Sequence, residues 1–326
     1  MKQPSRKQLL VRLSTIAGIV VALGGCAFVA HRLAVGWSDY HDVIAHARWG
    51  WLIVALPLAA FGMTSVGMVW RRIIMALGGD VTRREIFVWY QIGQMAKYLP
   101  GGVWPMVGRG EMAVRGGTRR SLAYNSVALS MGAAYLCAML VSAALVPIIV
   151  LTNDDLGGGL WVFALIPVGL AVLHPAVLGR LFRLAEKTLG GGEDQQVPGW
   201  TESVTLVLRH VTSWLCIGVA TWFVALTFDP HAPILEILFA GILSWVIGFV
   251  IVFVPGGLGV REAAFTAAAG HALDPEIAAT VAVVSRLVFM AGDALGAGVA
   301  VAVRRRFSGR TVPEVAPDVP DVMTGS

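Results

Sequence analysis

Again and again this chain runs for about 20 residues without a charge, the length a helix needs to cross the hydrocarbon of a bilayer. Such runs occupy residues 13–30, 49–70, 121–150, 160–178 and 210–228, with another at 237–260. A last one, 277–303, is interrupted only by Arg286 and Asp293. Trp49, Trp51, Trp70, Trp161 and Trp200 sit near run ends, as interfacial anchors do. Composition agrees: 56% of residues are hydrophobic, 14% are charged and mean hydropathy is +0.73. A soluble domain carries about a quarter charged residues, so the surplus apolar surface must face lipid. The expected fold class is all-α, a polytopic helical membrane protein.

The same arithmetic excludes disordered, collagen-like and disulfide-stapled chains. The net charge of +5 reads as membrane topology, with no nucleic-acid partner expected. Cys26, Cys137 and Cys216 all lie in apolar runs, where lipid- or core-facing thiols are expected in place of disulfides or metal ligands. His41 and His46 are spaced wrongly for one helical face, so no metal site is expected there. There is no phosphate-loop, dinucleotide or catalytic-triad pattern; no cofactor is expected, and the chain is not expected to be an enzyme.

Short basic loops set the orientation. Lys2, Arg6, Lys7 and Arg12 precede the first run and place the N-terminus in the cytoplasm. Arg71, Arg72, Arg83 and Arg84, then Arg109, Arg115, Arg119 and Arg120, mark the same side. Between those clusters the apolar stretch 86–96 is too short to cross, so residues 86–108 are expected to dip in and turn back. Run 121–150 leads out to the acidic, Gly-rich loop 152–159, and run 160–178 returns to Arg180, Arg183 and Lys187. The final run must deliver Arg304, Arg305 and Arg306 to the cytoplasm, so 234–274 starts and ends outside, as two crossings or as a second re-entrant pair. About six full spans and two re-entrant pairs result, in a cell-membrane domain over residues 1–306 with halves 1–189 and 200–306. Residues 307–326, rich in Pro and Asp, are expected to be a disordered cytoplasmic tail. A basic start followed by Leu23-Gly-Gly-Cys26 also loosely fits a lipoprotein signal, but the apolar run continues past Cys26.

Two stretches repeat 155 residues apart. Tyr98-Leu-Pro-Gly-Gly-Val-Trp-Pro-Met-Val-Gly-Arg-Gly-Glu111 contains Pro100, Gly101, Gly102, Trp104 and Arg109. Phe253-Val-Pro-Gly-Gly-Leu-Gly-Val-Arg-Glu262 contains Pro255, Gly256, Gly257, Gly259 and Arg261. Proline removes an amide donor and paired glycines permit positive φ, so each stretch stops a helix. At membrane depth such backbone survives only where it is buried in protein or lines a cavity. The helix restarting after each break would offer free amide groups beside Arg109 or Arg261, a setting for a phosphate or carboxylate. Related breaks of opposite orientation are the mark of inverted-repeat transporters.

Other charges belong with them. Lys97 stands before the first break and either binds a lipid phosphate or snorkels to the interface. Glu111 and Glu262 are expected to pair with Arg109 and Arg261 or across the repeat. Arg286 and Asp293, seven residues apart in the last run, should face the bundle interior, lining the cavity or binding the breaks. Tyr124, Asn125 and Ser126 should hydrogen-bond between helices.

These stretches also carry a resemblance. Gly93-Gln-Met-Ala-Lys-Tyr-Leu-Pro-Gly-Gly-Val-Trp104 with Arg109, and Pro255-Gly-Gly-Leu-Gly-Val-Arg-Glu262, resemble the two signatures of the lysylphosphatidylglycerol synthase transmembrane-region family of flippase-like integral membrane proteins. The resemblance covers roughly residues 10–305. In the family's best-known members this module moves aminoacylated phosphatidylglycerol between leaflets and is fused to a soluble synthase domain. Here the chain ends about twenty residues past the last run, so a stand-alone member without that domain is expected. The resemblance implies translocation of a lipid or lipid-linked glycan with an anionic headgroup. Two rivals stand beside it: a non-catalytic membrane partner of an envelope biosynthetic enzyme, and a small-solute transporter.

Overall fold

In hydrocarbon a helix satisfies each backbone amide within its own segment, and every described apolar run is helical. The structure is a computed structural model that describes residues 43, 45–98, 104–152, 174, 176–177, 179–180, 196–250 and 259–308. The expected run 13–30, most of 160–178, both Pro-Gly-Gly stretches and the tail from 309 lie outside those residues. The described helices are α1 (Trp51–Ala76), α2 (Arg83–Gln94) with a 3-10 turn (Met95–Tyr98), α3 (Trp104–Arg115) and α4 (Arg120–Thr152), then α5 (Trp200–Leu208), α6 (Val211–Phe228), α7 (Ile234–Val250), α8 (Val260–Ala269) and α9 (Pro275–Ser308). No strand occurs among the described residues. Runs 49–70, 121–150, 210–228 and 277–303 become α1, α4, α5 with α6, and α9, each long and apolar enough to cross a membrane. The protein is an all-helical integral membrane protein.

Local sequence explains the short helices. Thr82 caps α2: its Oγ1 accepts from the Glu85 amide at 3.2 Å, and Glu85 Oε2 accepts from the Thr82 amide at 2.9 Å. This reciprocal box satisfies two amides that a helix start leaves open. Thr82→Ala is therefore expected to cost about 1 kcal/mol, read as a melting temperature lower by about 2–4 °C in detergent.

Helix packing repeats itself in the two halves. α1 and α6 run antiparallel along their length: Arg48 N donates to the Thr227 carbonyl at 2.7 Å, Gly62 lies against Cys216 and Ile217, and Ser65 Oγ is 2.6 Å from Ser213 Oγ. Small residues at such a seam let backbones approach where no hydrophobic force drives helices together. α2 packs on α3 and α7 on α8, giving one helix pair across each Pro-Gly-Gly stretch. Each pair then packs on the long helix of the other half, α2 on α9 and α7 on α4. Close approaches are made at glycines: Gly67 receives the Tyr90 ring, Gly93 lies on the Arg109 backbone, and Gly296 lies against the Gln91 amide. Tyr135 of α4 stacks on Phe249 of α7 with centroids 3.7 Å apart. The opposite faces carry Ile53, Phe61, Leu287 and Leu295 outward, as lipid contact requires.

Candidate functional site

Charges inside a membrane bundle are expensive and face the interior, and α9 carries two of them. Asp293, with a side chain 1% exposed, takes Lys97 Nζ at 2.5 Å and the Tyr98 hydroxyl at 2.5 Å on its Oδ2. Lys97 and Tyr98 form the 3-10 turn that runs into the first break. Arg286, seven residues earlier, holds Glu262 Oε1 at 2.5 Å. Glu262 stands in the first turn of α8, which follows the second break. Seven residues are about two turns, or ~10 Å along a helix. One helix thus anchors a residue beside each Pro-Gly-Gly stretch, a short distance apart.

Arg109 and Arg261 are held differently. Arg109 is 5% exposed and sits over the Tyr90 ring at 5.0 Å. Arg261 lies flat against Trp245, with Cζ 3.5 Å from the ring centroid, and against Phe289 at 5.4 Å. Cation–π contact of this kind supports a guanidinium but does not neutralise it. Among the described residues neither arginine is ion-paired. Lys97 completes the cluster, 5.6 Å from the same Trp245 ring. Lys97, Arg109, Arg261 and Arg286 thus surround only two described carboxylates, Asp293 and Glu262, and the interior keeps a positive excess.

A cavity of about 50 Å³ opens beside Arg109, walled by Tyr90, Gln94, Ser130, Tyr135, Trp214 and Trp245. A smaller one of about 10 Å³ lies beside Arg261 and Glu262, with Thr221, Ser244 and Ser285 on its walls. Around the larger cavity, Arg109 Nε, Gln94 Oε1, Ser130 Oγ and Trp245 Nε1 are buried and meet no hydrogen-bonding partner among the described residues. Native interiors rarely leave such groups unsatisfied.

Sequence expectation and geometry differ at the glutamates. Glu111 does not pair with Arg109; it takes Arg120 Nη1 at 2.9 Å and the Tyr124 hydroxyl at 2.8 Å. Glu262 pairs with Arg286, and Arg261 turns to Trp245. Helical residues one or two apart project about 100–200° from each other, so Arg109 and Glu111, or Arg261 and Glu262, cannot share a face. The Tyr124 hydroxyl, with Arg120 beside it, holds the Glu111 carboxyl below its ordinary range. At the second break one amide, that of the residue preceding the helix, is already taken. Gly259, at φ +79° before α8, gives its N–H to Glu262 Oε2 at 2.7 Å.

Among the other expected site residues, Trp104 begins α3 half-buried, while Pro100, Gly101, Gly102, Pro255, Gly256 and Gly257 lie outside the described residues. Tyr124 reaches Glu111 on α3, and Ser126 accepts from Trp70 Nε1 at 3.0 Å, both between helices. Tyr90, Ser130, Tyr135, Trp214 and Trp245 were not singled out from sequence. A tryptophan such as Trp245, far from either end of an apolar run, departs from the interfacial pattern, and that departure was the available signal.

The model of the family described as Lysylphosphatidylglycerol synthase TM region matches residues 15–292. No curated protein matches the chain.

Proposed function

The chain belongs to the lysylphosphatidylglycerol synthase transmembrane-region family, and from that premise we propose that it passes an anionic lipid headgroup between the leaflets of the cell membrane. The observation that carries this reading is a pair of guanidinium groups inside the bundle, Arg109 buried and Arg261 half-buried, that are not ion-paired among the described residues. An uncompensated charge in a low-dielectric interior is strongly unfavourable. A phosphate-bearing headgroup would remove that penalty while the arginines replace its lost water. Acyl chains stay in lipid, and only the polar group travels the interior, past the two broken helix pairs. Arg109 and Arg261 would contact the headgroup. Lys97, Tyr98, Glu262, Arg286 and Asp293 would fix the flanks of the breaks, and Pro100, Gly101, Gly102, Pro255, Gly256 and Gly257 would give the unwound backbone. No covalent step is assigned to any residue. The basic loops favour both termini on the cytoplasmic side.

Reconstituted vesicles carrying a fluorescent anionic phospholipid test this. Arg109→Gln and Arg261→Gln are each expected to slow transbilayer movement at least about tenfold, the effect of losing roughly one charged hydrogen bond. Unchanged rates in both variants would refute the role of these arginines. Mass spectrometry of lipid retained by the purified protein is expected to find an anionic species; a neutral lipid alone would redirect the assignment.

A further inference from the structure

Trp245 joins parts of the molecule that are distant in sequence. Its ring meets Arg261 from beyond the second break, at 3.5 Å, and Lys97 from before the first, at 5.6 Å. It packs edge-on against Phe289 at 5.5 Å and lines the cavity that holds Arg109. Its indole N–H is a donor only, and it is buried without an acceptor among the described residues.

That N–H has company. Arg109 Nε is a second unsatisfied donor at the same cavity, and the Ser130 hydroxyl can be a third. Gln94 Oε1 is an unsatisfied acceptor there. Arg109, Ser130 and Gln94 are each more than nine-tenths buried. Water could satisfy the hydrogen bonds but not the guanidinium charge. A water needs ~10–15 Å³ of such space, so a cavity of about 50 Å³ holds about three to five water-sized atoms. One phosphate group suits that volume, and a sugar ring does not.

We infer that Trp245 is a binding residue of a phosphate pocket: its N–H donates to the phosphate oxygens beside Arg109 Nε and the Ser130 hydroxyl, while its ring face holds Arg261. Gln94 Oε1 accepts from an O–H that the guest itself brings, on a monoester phosphate or on a hydroxylated headgroup. The inference rests on the translocation reading only for a lipid as the source of the phosphate. Trp245 therefore acts twice, as a donor through its edge and as a positioning residue through its face, and the two actions separate under substitution. Trp245→Phe removes the N–H and keeps a ring beneath Arg261; Trp245→Leu removes both.

The experiment uses the full chain purified in detergent. Phospholipid retained through purification is quantified by mass spectrometry, and thermal stabilisation is measured with inorganic phosphate and with added phosphatidylglycerol. Trp245→Phe is expected to lose about tenfold in phospholipid retention, one strong hydrogen bond's share, and to melt close to wild type without lipid. Trp245→Leu is expected to lose more, and adding Arg261→Gln to it is expected to change retention little further. Stabilisation by inorganic phosphate, lost in Trp245→Phe, supports a pocket open to free phosphate. Stabilisation by the phospholipid alone, lost in the same variant, supports a pocket reached only from the membrane. Wild-type retention and stabilisation in Trp245→Phe would overturn the inference and leave translocation standing. Phosphate stabilisation that depends on Trp245, in a protein that moves no lipid, would keep the pocket and reject translocation. A wild-type protein that neither retains phospholipid nor responds to phosphate would reject both.

Discussion

Asp293→Ala is expected to destabilise the protein by about 3–5 kcal/mol, the range found when one member of a buried ion pair is removed. Asp293 is the ion-pair partner of Lys97 Nζ and accepts from the Tyr98 hydroxyl, and its side chain is 1% exposed. Without it the Lys97 ammonium, itself 13% exposed, is left in the cluster that also holds Arg109, Arg261 and Arg286. The loss should appear as a fall in melting temperature on the order of 10 °C. Replacing both partners tells attraction from packing: an ion pair exchanged for apolar groups of similar volume is often neutral. Lys97→Met with Asp293→Leu is thus expected to recover most of the stability, giving a coupling well above the ~0.5 kcal/mol scatter of independent sites. An Asp293→Ala protein that melts like wild type would show that the pair does not hold the first hairpin.

The second large effect is steric. A Cβ added at Gly93 would lie 2.9 Å from both the Arg109 amide nitrogen and its Cα. These are backbone atoms, which cannot turn aside. At Gly108 the added atom would lie 2.8 Å from the Gly93 carbonyl oxygen. Overpacking costs about 1–3 kcal/mol where side chains can adjust, so Gly93→Ala is expected near or above the top of that range. Because the displaced helix carries Arg109, retained phospholipid should fall together with stability. Gly132→Ala serves as the control. It sits in α4 with nothing within 4 Å of the added atom, and helix propensity alone favours it by up to ~1 kcal/mol. Equal melting of the Gly93 and Gly132 variants would contradict the close approach of α2 and α3.

The membrane helices were legible because desolvation of the backbone dictates them. Runs 49–70, 121–150, 210–228 and 277–303 needed only length and the absence of charge, and they stand as α1, α4, α5 with α6, and α9. Arg286 and Asp293 were equally readable as inward-facing, since lipid tolerates neither. Which groups they meet was not readable. The pairing of Asp293 with Lys97 joins residues 196 apart in the chain, and only the packing of α2 on α9 brings them together. The glutamate pairings failed for a local reason: neighbours in sequence were matched without regard to the turn between them. Trp245 and Tyr135 were overlooked because an aromatic ring in an apolar run reads as bulk. Its value here lies in a polar edge and a cation-binding face, which appear only once Arg261 and the cavity beside Arg109 are in place.

The last helix grips one hairpin with an acid and the other with a base, two turns apart on a single rod. A slide or twist of that rod large enough to release Lys97 also pulls on Glu262. The two helix pairs are therefore yoked through one rod, and a wedge driven under either should be felt at its twin.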